Sequence, residues 1–154
     1  MINTELVKKL IYKKLKISTA ESCTGGLLAE KITQVSGASE IFDESIVTYS
    51  NEAKIRELGV KSETLERFGA VSYDTAYEMC TGICRRTGAD IGIGVTGIAG
   101  PGGGTAEKPV GTVFIGICIS GDVTVLENHF NGNRDEVRNK TYEKAFSAVL
   151  ERIN

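Results

Sequence analysis

Three short segments of the chain carry residues whose types and spacing could do chemistry. Residues 22–26 place a serine hydroxyl, Ser22, just before two glycines. Residues 49–54 contain Tyr49 and Lys54, and residues 96–105 hold five glycines within eight positions after Thr96. A serine becomes a nucleophile when a base takes its proton, and glycines let the backbone approach a ligand closely. The three segments together therefore indicate nucleophilic catalysis beside a bound ligand.

Lys54 is the base that the sequence offers to Ser22. The single histidine, His129, ends a late predicted strand without a carboxylate at a fixed spacing, which disfavours a Ser-His-Asp arrangement. A lysine can act as a base if burial lowers its pKa, because an ammonium group is unfavourable away from water. Two alternatives stay open at this point. Ser22 or Thr24 could only cap a helix, and Lys54 could be a solvated surface lysine.

Backbone amides and arginines are the candidates for binding an anion. A helix that starts after Ser22 would leave the amides of residues 23–26 free to bind an anion or a developing oxyanion. Arg134 and Arg138 lie four residues apart near the start of a predicted helix, where positive charge opposes the helix dipole. This placement favours an anionic partner such as phosphate, with ion pairing to Asp135 or other carboxylates as the alternative.

The glycine-rich segment, residues 96–105, matches neither the phosphate-binding loop of ATPases nor the dinucleotide-binding fingerprint. Binding of ATP or a dinucleotide is therefore not supported by a motif. The glycines still suit close approach of the backbone to a phosphate or another ligand. A freely exposed turn is the alternative interpretation of this segment.

Alternating helix and strand patterns position these segments. The predicted helices span residues 5–15, 27–35, 51–58, 62–68, 72–87 and 133–152, and the predicted strands span residues 17–20, 45–49, 89–95, 110–119 and 123–130. Connections of this length favour parallel pairing, and the turn at residues 120–122 predicts a late antiparallel hairpin. We expect a single-domain α/β fold over residues 1–154, with a mixed, mostly parallel sheet and helices on both faces. Ligands of such sheets bind beyond the carboxyl ends of the strands, where the three reactive segments fall.

Composition excludes several classes of function. A length of 154 residues is typical of one domain. The net charge of −2 provides no basic surface for nucleic acid, and no apolar run approaches the roughly 20 residues of a membrane span. The N-terminus has no signal-peptide pattern, and the four cysteines form no C-x-x-C pair. We therefore expect a cytoplasmic protein with no nucleic-acid or membrane partner, no metal and no cofactor.

The reactive segments also agree with a known family pattern. The agreement covers residues 20–26 (Ala-Glu-Ser-Cys-Thr-Gly-Gly), 47–54 (Val-Thr-Tyr-Ser-Asn-Glu-Ala-Lys), 69–72 (Gly-Ala-Val-Ser), 94–105 (Gly-Val-Thr-Gly-Ile-Ala-Gly-Pro-Gly-Gly-Gly-Thr), 108–113 (Lys-Pro-Val-Gly-Thr-Val) and the region of Arg134 and Arg138. In these segments, which span nearly the whole chain, the sequence resembles the CinA C-terminal domain family, whose members include nicotinamide-mononucleotide deamidases. It departs from the family pattern at residues 43–45 (Asp-Glu-Ser), where members tend to have glycines, and we expect that difference to affect the rim of the pocket.

The resemblance implies hydrolysis of the carboxamide of nicotinamide mononucleotide to nicotinate mononucleotide and ammonia, as in pyridine nucleotide recycling. It implies that Ser22 is the nucleophile and Lys54 its base, with Tyr49 and Thr96 supporting or orienting them. The substrate-binding residues that we infer are Thr24, Gly25, Gly26, Gly100, Gly103, Gly104, Arg134 and Arg138.

The family's domain often follows a larger N-terminal domain, so this chain resembles the stand-alone deamidase. The resemblance also implies a homo-oligomer. Two other functions fit the same residues. One is a non-catalytic regulatory module that binds a nucleotide or phosphate, and the other is an amidase for a different small amide.

Overall fold

A five-stranded mixed sheet organises the chain in a computed structural model that covers residues 1–154. Its strands are β1 (Ile17–Glu21), β2 (Phe42–Val47), β3 (Ile91–Gly97), β4 (Thr112–Ile119) and β5 (Asp122–His129). They lie in the order β2-β1-β3-β4-β5. The first three strands are mutually parallel, and β4 and β5 continue the sheet as an antiparallel hairpin. The predicted α/β fold with a mixed sheet and a late hairpin is confirmed.

Six α-helices and one short 3-10 helix surround this sheet. They are α1 (Ile2–Lys13), α2 (Leu27–Thr33), the 3-10 helix (Ala38–Glu40), α3 (Asn51–Leu58), α4 (Ser62–Phe68), α5 (Tyr73–Thr87) and α6 (Arg134–Ile153). None of them combines the length and the hydropathy that crossing a bilayer requires.

The two faces of the sheet carry side chains of different size. Ile93 of β3 belongs to a buried apolar cluster that also contains residues of α1, α2 and α6. On the opposite face α5 lies against glycines. A Cβ atom at Gly94 would be 2.6 Å from the backbone nitrogen of Cys80, and one at Gly116 would be 2.4 Å from the carbonyl oxygen of Ala76. Glycine is therefore required at both positions for α5 to approach the sheet this closely.

Side-chain caps set where the helices near the sheet edge begin. The hydroxyl of Ser50 accepts a hydrogen bond from the amide of Ala53 at the start of α3, and Ser72 does the same for the amide of Thr75 in α5. Asn133 and Glu136 form a reciprocal capping box at the start of α6. The cap at Ser50 places Lys54 one turn into α3, above the carboxyl ends of the parallel strands.

Candidate active site

The three reactive segments meet in one cleft of 290 Å³ beyond the carboxyl ends of β1, β2 and β3. Its walls are formed by Ser22, Cys23, Tyr49, Asn51, Lys54, Ala70, Val71, Thr96, Gly97, Ile98, Ala99, Gly100, Gly102, Gly103 and Arg134. Lys54 and Arg134 are the only basic side chains among them, and no carboxylate lines the cleft. Although the chain carries a net charge of −2, this cleft therefore favours an anionic ligand.

Ser22 and Lys54 are in direct contact inside this cleft. The Nζ atom of Lys54 lies 3.2 Å from the Oγ atom of Ser22 and donates a second hydrogen bond to the carbonyl of Thr48 at 2.9 Å. Lys54 is 1% exposed and Ser22 is 9% exposed. No carboxylate oxygen lies within 4.0 Å of Nζ. Lys54 is therefore a buried amine without a counter-ion, and not the solvated surface lysine of the alternative interpretation.

Burial lowers the pKa of Lys54, because the charged ammonium loses its hydration without gaining a carboxylate partner. The nearby thiol of Cys23 opposes this shift more weakly. A lysine whose pKa is lowered has a larger neutral fraction near neutral pH, and only the neutral amine can accept a proton. The environment of Lys54 thus suits a general base.

Cys23, next to Ser22, is a potential competing nucleophile that its surroundings inactivate. Burial raises the pKa of its thiol to about 12. A thiol reacts as the thiolate, and at neutral pH almost none is present at such a pKa. Of these two neighbouring side chains, the hydroxyl of Ser22 is therefore the better candidate for a nucleophile.

Helix α2 begins at the residue that the sequence predicted, but it does not start directly after Ser22. It starts at Leu27, so Ser22 lies in the preceding turn and not at a helix N-terminus. The N-cap residue of α2 is Gly26, which has no side chain, and the carboxylate of Glu21 caps the helix instead by accepting hydrogen bonds from two amides of its first turn at 2.9 and 3.0 Å. Neither Ser22 nor Thr24 caps the helix. Sequence reasoning missed Glu21, and the one available signal was an acidic residue directly before the reactive serine.

The turn of residues 22–26, here called the serine turn, leaves fewer free amides than predicted. The amide of Gly25 donates to the carbonyl of Ser22 at 3.0 Å, and that of Gly26 donates to the capping carboxylate at 3.2 Å. The amides of Cys23 and Thr24 donate no hydrogen bond within the protein. The prediction that Gly25 and Gly26 offer amides to an anion is therefore wrong. Of the two unpaired amides, only that of Cys23 belongs to a residue that lines the cleft, because Thr24 is fully buried outside its walls.

Tyr49 contacts Arg134 and not the Ser22–Lys54 pair. Its phenolic oxygen accepts a hydrogen bond from Nη2 of Arg134 at 3.1 Å, and its side chain is largely exposed at the mouth of the cleft. The Nη1 atom of Arg134 donates to the carbonyl of Gly100 at 2.8 Å. Arg134 thus links the loop after β2 to the glycine-rich loop after β3, with its charged group facing the ligand space.

Thr96 holds a fourth segment against the cleft. Its hydroxyl is buried and donates to the carbonyl of Ala70 at 2.7 Å. Ala70 and Val71, which line the cleft, were missed because they follow a helix and not a strand. Only the resemblance over residues 69–72 signalled this segment. Asn51 was also missed, although it begins α3 beside the predicted Tyr49 and Lys54.

Five predicted substrate-binding residues lie outside the cleft walls: Thr24, Gly25, Gly26, Gly104 and Arg138. The Nη2 atom of Arg138 donates to the carbonyl of Thr24 at 2.8 Å. A Cβ atom at Gly104 would lie 2.7 Å from the backbone nitrogen of Val110, so this glycine serves the packing of its own loop. Neither Arg134 nor Arg138 pairs with a carboxylate. The two arginines are one helical turn apart, yet only Arg134 reaches the cleft.

Residues 43–45, where the chain departs from the family pattern, lie within β2 and not before it. The hydroxyl of Ser45 donates to the carbonyl of Thr19 at 2.7 Å, and Glu44 forms an ion pair with Arg86 at 3.2 Å. None of the three residues lines the cleft. The expectation that this departure affects the pocket rim is therefore wrong.

The arrangement as a whole can perform acyl transfer. A serine hydroxyl, a buried amine without a counter-ion and the unpaired amide of Cys23 are the parts that such a reaction needs at a carbonyl carbon. The structure contains no cluster of three or more His, Cys, Asp or Glu side chains that could hold a metal ion.

Comparison with known proteins yields consistent matches. The model of the family described as "CinA C-terminal domain" matches residues 1–153. A CinA-like protein of Kosmotoga olearia is 55% identical over 137 residues, which are 88% of this chain and 33% of that protein. The chain spans about a third of the length of the curated relatives that it matches.

Solved structures match over the full length of the chain. A competence-damaged protein (CinA) superfamily protein from Klebsiella pneumoniae has a TM-score of 0.96 at 36% identity, covering 99% of this chain and 95% of that one. A competence/damage inducible protein from Agrobacterium tumefaciens has a TM-score of 0.93 at 43% identity, covering 98% and 95%.

Proposed function

Because the chain belongs to the CinA C-terminal domain family, we propose that it hydrolyses the carboxamide of nicotinamide mononucleotide to nicotinate mononucleotide and ammonia. The observation that carries the proposal is the 3.2 Å contact between Nζ of Lys54 and Oγ of Ser22 in a cleft without carboxylates. A domain that only binds a nucleotide needs neither a nucleophile nor a base, so this contact favours an enzyme over a regulatory module.

In the proposed reaction, Oγ of Ser22 attacks the carboxamide carbon while neutral Lys54 takes the hydroxyl proton. The amide of Cys23, a residue that lines the cleft, donates to the oxyanion that forms. Lys54 then gives the proton to the leaving nitrogen and the carbon–nitrogen bond breaks. Ammonia leaves, and the acyl group stays bound to Ser22 as an ester. A water molecule, deprotonated by Lys54, then attacks the carbonyl carbon of that ester. The bond to Oγ of Ser22 breaks, Lys54 returns the proton to Oγ, and the carboxylate product leaves.

The direct test is ammonia release from nicotinamide mononucleotide by the purified chain. Nicotinamide and nicotinamide riboside serve as controls, because they carry the same carboxamide without the phosphate. Equal rates on all three compounds would point to an amidase for another small amide. No ammonia from any of them would contradict the proposed substrate and leave the binding module or an amidase for an unrelated small amide.

We propose that Arg134 binds the substrate phosphate, since it is the charged group at the cleft mouth. A hydrogen bond to a charged group contributes about 1.5–3 kcal/mol, so Arg134→Ala should raise KM for the mononucleotide roughly 10- to 100-fold. Activity on nicotinamide riboside should change far less. Arg56→Ala, at an exposed arginine of α3, is the matched control and should leave both substrates unaffected.

The contacts of Arg134 with Tyr49 and Gly100 offer a second explanation for a loss of activity, because the substitution also frees both partners. Steady-state kinetics of Tyr49→Phe separates a loss of phosphate binding from the loss of the contact with Tyr49, since this variant removes only the phenolic oxygen and keeps Arg134. Equal losses on the phosphorylated and unphosphorylated substrates in Arg134→Ala would contradict the phosphate assignment.

The pH dependence of turnover should follow the titration of Lys54. Activity requires the neutral amine, so kcat/KM should rise with pH and level off above the pKa of Lys54. Because burial lowers that pKa, the midpoint should lie below the ordinary lysine value of roughly 10.4. A pH–rate profile of the free enzyme measures it. A profile that falls with increasing pH across this range would contradict a lysine base.

The single-domain organisation over residues 1–154, the cytoplasmic location, the homo-oligomeric state and the lack of nucleic-acid or membrane partners stay predictions. Light scattering of the purified chain tests the oligomeric state, and cell fractionation tests the location.

A further inference from the structure

A buried carboxylate stands directly before the candidate nucleophile without touching the cleft. Glu21 is 0% exposed, and no arginine or lysine pairs with it. Its carboxylate accepts four hydrogen bonds, from the hydroxyl of Thr19 at 3.0 Å and from the amides of Gly26, Leu28 and Ala29 at 3.2, 2.9 and 3.0 Å. Four donors around one group match an acceptor-only carboxylate. Glu21 thereby ties the end of β1 to the start of α2, on either side of the serine turn.

The serine turn has two further anchors. The amide of Ser22 donates to the carbonyl of Val95 in β3 at 3.0 Å. From the other side, Arg138 of α6 donates to the carbonyl of Thr24 at 2.8 Å. The turn is therefore held by the sheet, by the cap of α2 and by α6.

The two unpaired amides lie between these anchors. The amide of Gly26 is taken by Glu21 and that of Gly25 by the carbonyl of Ser22, so only the amides of Cys23 and Thr24 are left over. Their position relative to the hydroxyl of Ser22 is set by how the turn is tied down, because the turn itself is not helical.

Resting on the proposed chemistry at Ser22, we propose that Glu21 and Arg138 are positioning residues for that reaction. They hold the serine turn so that the hydroxyl of Ser22 and the unpaired amide of Cys23, which both belong to residues of the cleft wall, act on the same carbonyl group. Neither residue touches the substrate. Arg138 is thereby assigned to the turn and not to the phosphate, in contrast to Arg134.

Glu21→Gln should disturb this arrangement at almost unchanged side-chain volume. Glutamine replaces one acceptor oxygen with an amino group, which would face amide donors. A misplacement of reacting groups by about 1 Å costs on the order of 100-fold in rate. We expect kcat to fall by about that factor while KM changes by less than about threefold, since only the transition state loses stabilisation.

Glu78→Gln is the matched control for a purely structural effect. The Oε1 atom of Glu78 accepts from the amide of Lys61 at 2.8 Å and its Oε2 atom accepts from the hydroxyl of Thr64 at 2.6 Å, so this carboxylate holds the start of α4. Glu78 does not line the cleft. Glu78→Gln should lower Tm as Glu21→Gln does, but keep kcat within about twofold of the wild-type value.

The experiment compares wild type, Glu21→Gln, Glu78→Gln and Arg138→Met by Tm, by kcat and KM, and by the rate at which a fluorophosphonate labels Ser22. In labelling, Oγ of Ser22 bonds to phosphorus, fluoride leaves and Lys54 takes the proton, so this rate needs no nucleotide. Arg138→Met keeps an apolar stem but loses the donor, and it decides the question if Glu21→Gln does not fold.

A loss of about 100-fold in kcat and in labelling for Glu21→Gln or Arg138→Met, with Glu78→Gln unaffected, is the expected result. Wild-type rates in the folded turn variants, or an equal loss in Glu78→Gln, would overturn the proposal. If wild-type Ser22 is labelled but no ammonia is released from the mononucleotide, the proposed substrate fails, and the labelling rates still decide the role of Glu21 and Arg138. Absence of labelling in the wild type would overturn both proposals.

Discussion

Lys54→Arg should lower kcat for deamidation by at least about 10³-fold, even though the substitution keeps the positive charge. A guanidinium stays protonated in proteins and cannot take the proton of Ser22. Lys54 is almost fully buried and has no carboxylate partner, so its environment favours a neutral amine over a fixed charge. Steady-state kinetics at a pH above the midpoint of the wild-type profile measures the effect.

Two companion variants make this result interpretable. Lys54→Met keeps the length of the side chain without a basic group, and it should lose as much activity as Lys54→Arg. Lys13→Arg, at an exposed position of α1, should behave as the wild type. If Lys54 only bound a phosphate, arginine would replace it with little loss. A Lys54→Arg enzyme with nearly normal kcat would therefore remove Lys54 from the mechanism and leave Ser22 without a base.

Ser22→Ala should also abolish most turnover, and the double variant Ser22→Ala/Lys54→Met should be little worse than either single variant. Residues that act as one catalytic unit show this non-additivity, because removal of either member already disables the pair. Their atoms are 3.2 Å apart, so coupling is expected from the geometry as well. Comparing kcat of the four enzymes measures the coupling between the two residues.

Binding and labelling serve as controls for the serine variants. Ser22→Ala should still bind the mononucleotide, since Arg134 is unchanged, and isothermal titration measures this. The same variant should not react with a fluorophosphonate. If losses in the two single variants multiply in the double variant, Ser22 and Lys54 act independently, and the shared proton transfer is excluded.

The sequence by itself determined the architecture and most of the cleft. The order of helices and strands follows from local hydrophobic periodicity and from turn residues, and both are readable along the chain. Parallel strands end at the same edge of a sheet, so the sequence alone predicts that Ser22, Lys54 and Thr96 converge there. Their convergence in one cleft agrees with that rule, while their catalytic roles stay predictions.

Helix spacing was not sufficient to separate the two arginines of α6. A spacing of four residues predicts that Arg134 and Arg138 share a face of the helix. It says nothing of what lies opposite each residue. The structure places the glycine-rich loop and Tyr49 against Arg134, and the serine turn against Arg138. Tyr49 lies 85 residues from Arg134 in sequence, and Thr24 lies 114 residues from Arg138. These distant partners decide which of the two arginines faces the ligand.

Only the tertiary structure decided which amides of the serine turn remain free and in which direction the pKa of Lys54 is shifted. Both properties depend on groups that are distant in the chain. The amides depend on the cap that Glu21 provides and on the pairing of Ser22 with Val95, and the amine depends on how completely neighbouring elements exclude water. Hydrogen-bond competition and desolvation act over a few ångströms in space. A sequence pattern records residue types and spacing, and these distances arise only when the sheet and its helices pack together.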